Sequence, residues 1–290
     1  MSFPIPENFD RYFRGVYQSR WPALLLALSE KEKQVLRKNK FVNVAEVGLA
    51  SCEFLDTCYW RATGYTLQKN DDGFFTFYAM DPASVVVALA LEVQPGDEVL
   101  DLCAAPGGKS LILAEVEPSL LIANEISESR RERLMRVFHE YIPREARQIV
   151  TVKGLDGNQY GLRMPEKFDR VLADVPCSGE RHLLENEAEL KLWSEKRTKN
   201  LAVRQYSLLS SAWLAAKKGG RIVYSTCSIS PLENDAVVEK LLKKRKPELL
   251  RPKFLQQFDF LEETQYGYQV LPDRCGFGPM YFSVLQKGET

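Results

Sequence analysis

The sequence has no uninterrupted apolar run of the roughly 18 residues or more that mark a membrane span. We therefore expect no transmembrane helix, although 45% of the 290 residues are hydrophobic. Residues 1–13 contain acids and lack an apolar segment behind a basic start, which argues against a secretory signal. These absences predict a cytoplasmic protein, with the mitochondrial matrix as the alternative location.

No two of the six cysteines form a Cys-x-x-Cys pair. The sequence therefore offers neither a zinc-ligand spacing nor the disulfide framework of a small secreted domain. We predict no metal site and a reducing compartment, in which an important cysteine is reactive rather than structural. The cysteines are Cys52, Cys58, Cys103, Cys177, Cys227 and Cys275.

The chain has no net charge, because 39 basic residues balance 39 acidic ones. A globally basic nucleic-acid binder is excluded, and only local basic clusters remain, at residues 31–40, 191–204 and 243–246. Two interpretations of the clusters stay open. Each can be a solvated helix face, and together they can form a groove that follows a phosphate backbone.

The composition also lacks the bias of disordered chains. From about residue 81 short apolar strands alternate with helical stretches, the first of which is capped by Asp81 and begins at Pro82. This alternation predicts an α/β fold with a mostly parallel sheet covered by helices on both faces. The predicted strands are 98–104, 120–125, 148–154, 168–175, 221–227 and an end strand at 278–287 that can be antiparallel; a long helical stretch is predicted at 187–217.

Residues 1–78 do not continue this alternation. The composition of residues 20–39 predicts a helix, whereas the segments that follow have no helical pattern. We expect a small N-terminal α+β subdomain at 1–78 that packs against a main domain at 79–290.

Ligands of open parallel sheets lie at the carboxyl ends of the strands. The first strand of the main domain runs into DLCAAPGGKS, residues 101–110. Ala104, Ala105, Gly107 and Gly108 are small enough for the backbone to approach a ligand closely, and the helix that follows favours a negative group such as a carboxylate. The spacing is neither GxGxxG nor that of a P-loop, so a dehydrogenase is disfavoured.

Two acids follow the next two strands. Glu125 stands where a carboxylate commonly binds the two hydroxyls of a ribose. Asp156, in the turn GLDG, can accept a hydrogen bond from an exocyclic amine or can be an ordinary exposed turn residue. A close-approach glycine turn with two acids predicts a cofactor that contains adenosine but needs no phosphate-binding motif, and S-adenosyl-L-methionine fits that description.

The last two parallel strands end in thiols. One runs into Asp-Val-Pro-Cys, in which Pro176 holds Asp174 and Cys177 in a defined relation, and the other ends at Cys227. If these strands are neighbours, about 4.8 Å apart, two thiols and a carboxylate meet beside the cofactor. The alternative is that both cysteines only pack in the core.

Two thiols, a carboxylate and a methyl donor suit methylation of cytosine at C5. That carbon is a poor nucleophile until a thiolate adds at C6, and a carboxyl group aimed at N3 and the 4-amino group stabilises the adduct. One thiol can be the nucleophile and the other can assist release, and the residues alone do not rank them. The cytosine must be unpaired or flipped out of its stack.

The motifs DLCAAPGGKS, ADVPCSGERH and YSTCSISPLEND resemble those of the Sun-domain (NSUN/RsmB-type) RNA cytosine-5 methyltransferases, and GFGPMYF is similar as well. The resemblance runs from about residue 74 to the end and is strongest to the short mitochondrial-type members. It implies a Rossmann-like class I fold, S-adenosyl-L-methionine as the methyl donor, and an RNA substrate. Ribosomal RNA is slightly favoured over transfer RNA.

The resemblance also implies roles for matching positions. Cys227 corresponds to the nucleophile, Cys177 to the thiol needed for product release, and Asp174 to the residue that contacts the base. Glu125 corresponds to the ribose acid, although Asp is commoner there, and Asp156 to the adenine contact. The further implied cofactor positions are Cys103, Ala104, Ala105, Pro106, Gly107, Gly108, Lys109, Arg130 and, again, Asp174.

The expected partner is RNA, held at the basic clusters 31–40 and 191–204 and at the N-terminal subdomain. His182 can contact the base or can be structural. We expect a monomer, with a protein that targets it to its RNA as a possible partner. Two other functions stay open: a DNA cytosine-C5 methyltransferase, which uses the Pro-Cys thiol as its nucleophile, and a non-catalytic RNA-binding assembly factor.

Overall fold

The computed structural model describes residues 4–44 and 48–288, so the outermost residues of the predicted domains 1–78 and 79–290 lie outside the described part. The helices are α1 (Glu7–Tyr17), α2 (Trp21–Ser29), α3 (Pro82–Ala90), α4 (Gly108–Ala114), α5 (Glu128–Tyr141), α6 (Tyr160–Arg163), α7 (Glu180–Glu185), α8 (Glu187–Lys191), α9 (Glu195–Ala215), α10 (Asp235–Arg245) and α11 (Pro272–Cys275). The strands are β1 (Val35–Lys38), β2 (Cys58–Trp60), β3 (Phe77–Met80), β4 (Glu98–Asp101), β5 (Leu120–Asn124), β6 (Val150–Lys153), β7 (Phe168–Asp174), β8 (Ala216–Thr226), β9 (Glu248–Leu250), β10 (Glu262–Glu263), β11 (Tyr268–Val270) and β12 (Met280–Gln286).

The larger sheet has the order β6-β5-β4-β7-β8-β12-β11-β10, with β9 beside β12. Strands β4 to β8 are parallel, and β12 pairs antiparallel with β8. This confirms the predicted α/β fold and the antiparallel end strand. After β4 the chain builds outward to β6 and then returns to β7 on the other side of β4. The order therefore reverses between β4 and β7, which is where an open parallel sheet binds its ligands.

The parallel strands are apolar on both faces, and successive residues point to opposite sides. Val99 and Leu121 pack on one face among buried residues of α3, α4 and α5. Leu100 and Ile122 pack on the other face with buried residues of α9 and α10. Burial on both faces explains why these strands appear in the sequence as continuous apolar runs.

Local signals in the sequence set several helix ends. The Asp81 side chain accepts a hydrogen bond from the backbone N–H of Ala83 at 2.7 Å, as predicted for the start of α3. The predicted helical stretch 187–217 is two helices. The break comes at Ser194, whose hydroxyl accepts from the Arg197 N–H and caps α9.

The prediction of a helix over residues 20–39 is wrong in its second half. Helix α2 ends at Ser29, and residues 35–38 form β1, the central strand of a three-stranded antiparallel sheet with β2 and β3. Helix propensity is a weak prior, and pairing with strands remote in sequence overrides it here. The basic cluster 31–40 is also not uniformly exposed, because Arg37 is buried and paired with Glu115.

The N-terminal helices pack behind the carboxyl end of β8. Phe13 stacks on Trp21 at 5.3 Å, and Phe9 meets Trp193 edge-on at 5.2 Å. The Tyr17 hydroxyl donates to the carbonyl of Ile229 at 2.6 Å, so α1 supports the loop that follows β8. Among the described residues no helix combines the length and apolar character that a membrane crossing needs.

Candidate active site

The carboxyl ends of β4, β7 and β8 lie side by side and open into a cleft of about 740 Å³. Asp101 ends β4, Asp174 ends β7, and Cys227 follows β8 directly. The cleft is lined by the loop after β4, by Asp174 to Gly179, by Cys227 and by residues just before β12. The structure thus brings the ends of three neighbouring strands to one concave surface.

Cys177 and Cys227 lie next to each other in this cleft. The backbone N–H of Cys227 donates to the Cys177 sulfur at 3.2 Å, and Cys227 is exposed whereas Cys177 is partly buried. The side-chain hydrogen bond with Cys227, together with burial, raises the pKa of Cys177 well above its usual value. Cys177 is therefore a protonated thiol near neutral pH, beside a thiol that is open to the cleft.

Both carboxylate oxygens of Asp174 have partners. Lys109 Nζ donates to Oδ2 at 2.7 Å, and Ser225 Oγ donates to Oδ1 at 2.7 Å. Burial alone would lower the pKa of Lys109, but the charge of Asp174 and the hydrogen bond to it outweigh burial and raise that pKa. Lys109 therefore keeps its positive charge, and Asp174 is held in one orientation at the mouth of β7.

Asp101 lines a smaller cavity next to the cleft and is buried, with 1% of its surface exposed. Burial raises its pKa to about 7, although Ser110 Oγ donates to Oδ2 at 2.6 Å. Oδ1 is also buried and has no partner among the described residues. An unpaired buried oxygen is costly, so this atom marks a place where a ligand donor fits.

The glycine loop after β4, together with the first residues of α4, forms one wall of the cleft from Cys103 to Lys109. The Ala104 N–H donates to the carbonyl of Asn124 at 2.7 Å, which fixes the loop to the end of β5. Gly107 has φ +117, a conformation that other residues rarely adopt, and a Cβ on Gly108 would lie 2.7 Å from Cε1 of Tyr78. Cys103, Ala104, Ala105, Pro106, Gly108 and Lys109 all line cavities at this wall.

Glu125 and Arg130 lie together beyond the end of β5. The Glu125 carboxylate accepts from the Ser127 N–H at 2.9 Å and pairs with Arg130 at 3.4 Å. Arg130 also donates to the carbonyl of Ala105 at 3.0 Å, so it links the buried acid to the glycine loop. Arg130 lines the cleft, whereas Glu125 lies behind it and is 3% exposed.

Asp156 lies along the same edge of the sheet, after β6, but not in the lining of the cleft. Its carboxylate accepts from the backbone and side-chain nitrogens of Asn158 at 3.0 and 2.9 Å. Asn124 holds this turn by bonding to both backbone groups of Leu155. The structure therefore places Asp156 next to the ends of β5 and β6, outside the cleft that holds Asp174, Cys177 and Cys227.

These residues fit S-adenosyl-L-methionine. The unpaired oxygen of Asp101 suits an ammonium group, the small residues of the glycine loop leave room for close approach, and Glu125 is a buried carboxylate suited to a diol. Arg130 connects the acid to that loop. The donor and acceptor groups agree in kind with a cofactor that carries a cationic amino acid at one end and a ribose in the middle.

Several residues of the site have no sequence signal. Ser225 binds Asp174, and Tyr78 packs against the glycine loop from the N-terminal sheet. Glu180 and Glu233 lie beneath the two cysteine loops and are fully buried. Isolated polar residues of this kind have no period or spacing, and only their three-dimensional partners reveal them. His182 lines the cleft and is exposed, paired with Glu185 at 3.5 Å.

Known proteins with similar sequences include RNA methyltransferases. A family model described as 16S rRNA methyltransferase RsmB/F matches residues 88–286. The 5-cytosine rRNA methyltransferase NSUN4 of Bos taurus is 43% identical, over 73% of this chain and 60% of that protein. NSUN4 of Mus musculus is 34% identical, over 97% of this chain and 88% of that protein. The chain thus spans about three fifths of the bovine relative's length.

A further relative is the tRNA (cytosine(34)-C(5))-methyltransferase, mitochondrial, of Danio rerio, which is 39% identical over 73% of this chain and 60% of that protein. Among solved structures, a methyltransferase homolog from Pyrococcus horikoshii superposes with a TM-score of 0.76 at 21% identity and covers 96% of this chain and 93% of that one. At this identity the likeness concerns the fold, which is that of a methyltransferase homolog.

Proposed function

The chain belongs to the 16S rRNA methyltransferase RsmB/F family, and from this premise we propose that it methylates C5 of a cytosine in RNA, with S-adenosyl-L-methionine as the methyl donor. The observation that carries the proposal is the pair of thiols, Cys177 and Cys227, held together beside Asp174 at the ends of β7 and β8. The names of the relatives favour ribosomal RNA over transfer RNA and give no support to a DNA substrate.

Cys227 is the proposed nucleophile, since it is the exposed thiol of the pair. Its thiolate forms a bond to C6 of the cytosine while N3 takes up a proton from solvent in the open cleft, and C5 becomes nucleophilic. After methylation solvent accepts the C5 proton, the C6–S bond breaks with its electron pair returning to sulfur as the thiolate, and N3 returns its proton to solvent. Cys177 keeps its own proton and donates a hydrogen bond to that sulfur, which makes Cys227 a better leaving group.

Asp174 is proposed to face N3 and the 4-amino group of the base. Because Lys109 and Ser225 each hold one of its oxygens, the carboxylate keeps its direction without help from the substrate. A group fixed in advance stabilises the charge that develops at N3 at no cost of reorganisation. Asp174 thus orients the ring so that C6 faces Cys227.

When bound, S-adenosyl-L-methionine supplies an electrophilic methyl group on a sulfonium. The loop from Cys103 to Lys109 would approach its methionine part, with the unpaired oxygen of Asp101 toward the amino group. Glu125 would bind the ribose hydroxyls, and Arg130 would hold that acid in place. Asp156 would meet the adenine amine if the nucleoside extends along the ends of β5 and β6.

The N-terminal subdomain is proposed to contact RNA through a groove of about 600 Å³ between the segment just before β1 and the end of β2 with the residues after it. Lys31, Lys33 and Arg61 supply positive charge there, and Trp60 and Tyr65 supply aromatic surface. Single-stranded RNA binds to such a combination by backbone attraction and base stacking. Glu32 lines both this groove and the catalytic cleft, so the two lie on either side of one residue.

The other two basic clusters are less available to RNA. Lys191 and Lys199 pair with acids one helical turn away, at 2.7 and 2.6 Å. In the last cluster Lys243 pairs with Glu239 at 2.8 Å, and Lys244 lies over the ring of Tyr206. These contacts agree with solvated helix faces, so the groove at Lys31 and Lys33 is the proposed RNA path.

The mitochondrial matrix is the proposed location, because the Danio rerio relative and one from Mus musculus are named as mitochondrial enzymes. The predicted cytoplasmic location finds no support among these names. The predicted monomer and the targeting protein stay predictions.

Trapping of a covalent intermediate tests the proposal. With Cys177→Ser, tritiated S-adenosyl-L-methionine and a transcript of small-subunit ribosomal RNA, we expect a denaturant-resistant protein–RNA adduct, because release is slowed. Cys227→Ser and the double variant are expected to give neither adduct nor methylated RNA. Methylation by Cys227→Ser, together with loss in Cys177→Ser, would instead indicate the DNA-type assignment of the two thiols.

Methyl transfer to RNA also separates an enzyme from an assembly factor. An assembly factor would bind the transcript and transfer no label to it or to any pool of cellular RNA. If the protein does transfer methyl groups, bisulfite mapping of RNA from cells that lack it would identify the modified cytosine.

A further inference from the structure

Beneath the cleft lies a pair of buried acids that the reaction above does not use. Glu180 begins α7, just after the loop that carries Cys177, and Glu233 lies in the loop that follows Cys227. Both side chains are 0% exposed. Neither is among the residues that line the cleft in the described part of the chain, so neither contacts the reacting atoms.

Two serines join these acids to the cysteine loops. Ser178 Oγ is in hydrogen-bond contact with one carboxyl oxygen of Glu180 and one of Glu233, and lies 3.1 Å from Ser228 Oγ. Ser228 Oγ lies 3.1 Å from Glu233 Oε1 and 3.3 Å from Glu180 Oε1. Each serine directly follows one of the two cysteines.

The cluster has more oxygen–oxygen contacts than hydroxyl hydrogens to fill them. Five contacts connect four oxygen atoms, while the two hydroxyls supply only two hydrogens. An oxygen pair without a hydrogen between its atoms is repulsive, and two carboxylates close together disfavour each other's ionisation. A proton on one carboxyl group supplies a third hydrogen and removes one of the two charges.

The surrounding donors indicate where that proton lies. Glu233 Oε2 accepts from the Ser178 N–H at 3.0 Å and from Gln205 Nε2 at 2.6 Å. Glu180 accepts one backbone bond, from the Ile229 N–H at 3.0 Å. Glu180 has fewer donors to stabilise a negative charge, so it is the acid on which a proton is favoured. In agreement, burial and the charge of Glu233 raise the pKa of Glu180 to about 7.

We propose that Glu180 and Glu233 share one proton and that this protonated pair clamps the loop of Cys177 against the loop of Cys227. Both acids are positioning residues, and their effect on methylation rests on the proposed function. Glu233 binds the backbone of the first loop through the Ser178 N–H, and Glu180 binds the backbone of the second through the Ile229 N–H. The bonds cross from one loop to the other, so separating the loops breaks them.

The other titratable groups around the pair stay neutral between pH 5 and 8. Tyr12 and Tyr17 face it from α1, Tyr224 from β8 and Cys177 from the first loop, and the pKa of each is raised, mainly by burial for the tyrosines. No cation is among the main groups that set the pKa of Glu180. A change of charge in this cluster over that range therefore belongs to the acid pair.

The sign of the pH dependence follows from the direction of the shift. The ordinary pKa of 4.5 applies to Glu180 in the unfolded chain, and a pKa of about 7 applies in the folded protein. Between these values the folded state binds the extra proton, so the free energy of unfolding falls as the pH rises and levels off above about 7. Glu180→Gln keeps a donor at that position and has no proton to lose.

Thermal unfolding of the full chain at pH 5 to 8 tests the shared proton without any RNA. We expect the melting temperature of the wild type to fall relative to that of Glu180→Gln as the pH rises from 5 to 7, and the difference to stay constant above that. Parallel curves for the two proteins would overturn the proposal. Glu180→Leu, which has similar bulk but no hydrogen-bonding group, is the matched control.

Two further measurements test the clamp. Glu180→Leu should exchange backbone amides faster at residues 176–180 and 226–233, and should methylate the small-subunit transcript about 10²-fold more slowly, because the thiols lose their relative position. Glu180→Gln should exchange and methylate like the wild type. Equal protection in the Leu and Gln variants would overturn the clamp. If the wild type transfers no methyl group, the proposed function fails, and unfolding and exchange still decide the clamp.

Discussion

Asp174 illustrates how single side chains set the site. It lies at the last position of β7, and its two oxygens bind groups from different elements, Lys109 of α4 and Ser225 of β8. One carboxylate thus joins three neighbouring parts of the sheet edge. Its direction is a property of the fold and does not depend on a bound base.

Asp174→Asn is expected to lower kcat for RNA methylation by about 10²- to 10³-fold. The amide still accepts from Ser225, but it loses the charge that is proposed to stabilise N3 and places an N–H group against the Lys109 ammonium. The measurement is steady-state transfer of labelled methyl groups to the small-subunit transcript.

Ser225→Ala is the control for that change, because it removes one hydrogen bond and leaves the charge. A loss of about 1 kcal/mol, roughly fivefold in rate, is expected. If Asp174→Asn kept the wild-type kcat, or if the two variants lost activity equally, the carboxylate would have no direct role at the base.

At the scale of single residues, the strand ends could be predicted from the sequence, whereas the buried acids beneath them could not. Asp174, Cys177 and Cys227 could be predicted to share an edge because short apolar strands in a parallel sheet end on the same side. Glu180 and Glu233 could not be predicted as a pair, since 53 positions of chain separate them and acids outside a motif are normally exposed.

At the scale of elements, β1 and α4 are joined by a buried ion pair. Arg37 of β1 donates to both oxygens of Glu115, the residue after α4, and the two side chains are only 5% and 3% exposed. The pair attaches the three-stranded N-terminal sheet to the helix that begins at the glycine loop. Removing one partner would leave a buried charge without compensation.

Arg37→Met is expected to lower the free energy of unfolding by about 3–5 kcal/mol, because Glu115 stays buried and unpaired. Arg37→Met combined with Glu115→Leu should recover most of that loss, since well-packed apolar residues can replace a buried pair. Urea unfolding of the single and double variants measures both changes. Lys40→Ala, at an exposed position of the same basic segment, should stay within about 0.5 kcal/mol of the wild type.

A double variant no more stable than Arg37→Met would contradict this account and indicate that the pair contributes geometry that apolar side chains cannot replace.

The buried pair of Arg37 and Glu115 also explains why the helix predicted over residues 20–39 is wrong in its second half. Lys, Glu, Gln and Leu favour a helix locally, whereas the buried partner of Arg37 lies in an element that no local pattern relates to it.

At the scale of the whole molecule, the N-terminal region and the main sheet have cores in common. Val35 and Met80 of the small sheet belong to the same buried cluster as Val85 of α3 and Val99 of β4. The second contact is the aromatic cluster of α1 and α2, which includes Trp193 and so lies against the elements after β7. The N-terminal region is thus held on two sides, and Glu32 brings it to the wall of the catalytic cleft.

The position of the groove beside that wall gives a prediction for RNA binding. Replacing Lys31, Lys33 and Arg61 together by Ala should weaken binding of a single-stranded RNA oligonucleotide and reduce the slope of log K against log salt by about 2, since each phosphate contact on a single strand contributes about 0.7. Fluorescence anisotropy of a labelled oligonucleotide over a series of salt concentrations measures the slope.

The matched control removes the same number of positive charges from positions that already pair with acids. Lys191, Lys199 and Lys243 lie on exposed helix faces, each within 2.8 Å of a glutamate one turn away. Their replacement by Ala changes the net charge by the same amount, so a difference between the two triple variants reports position and not total charge. An equal decrease of the slope in both triple variants would mean that RNA binding depends only on the total charge of the protein. The proposed RNA path from the cleft past Glu32 would then be wrong.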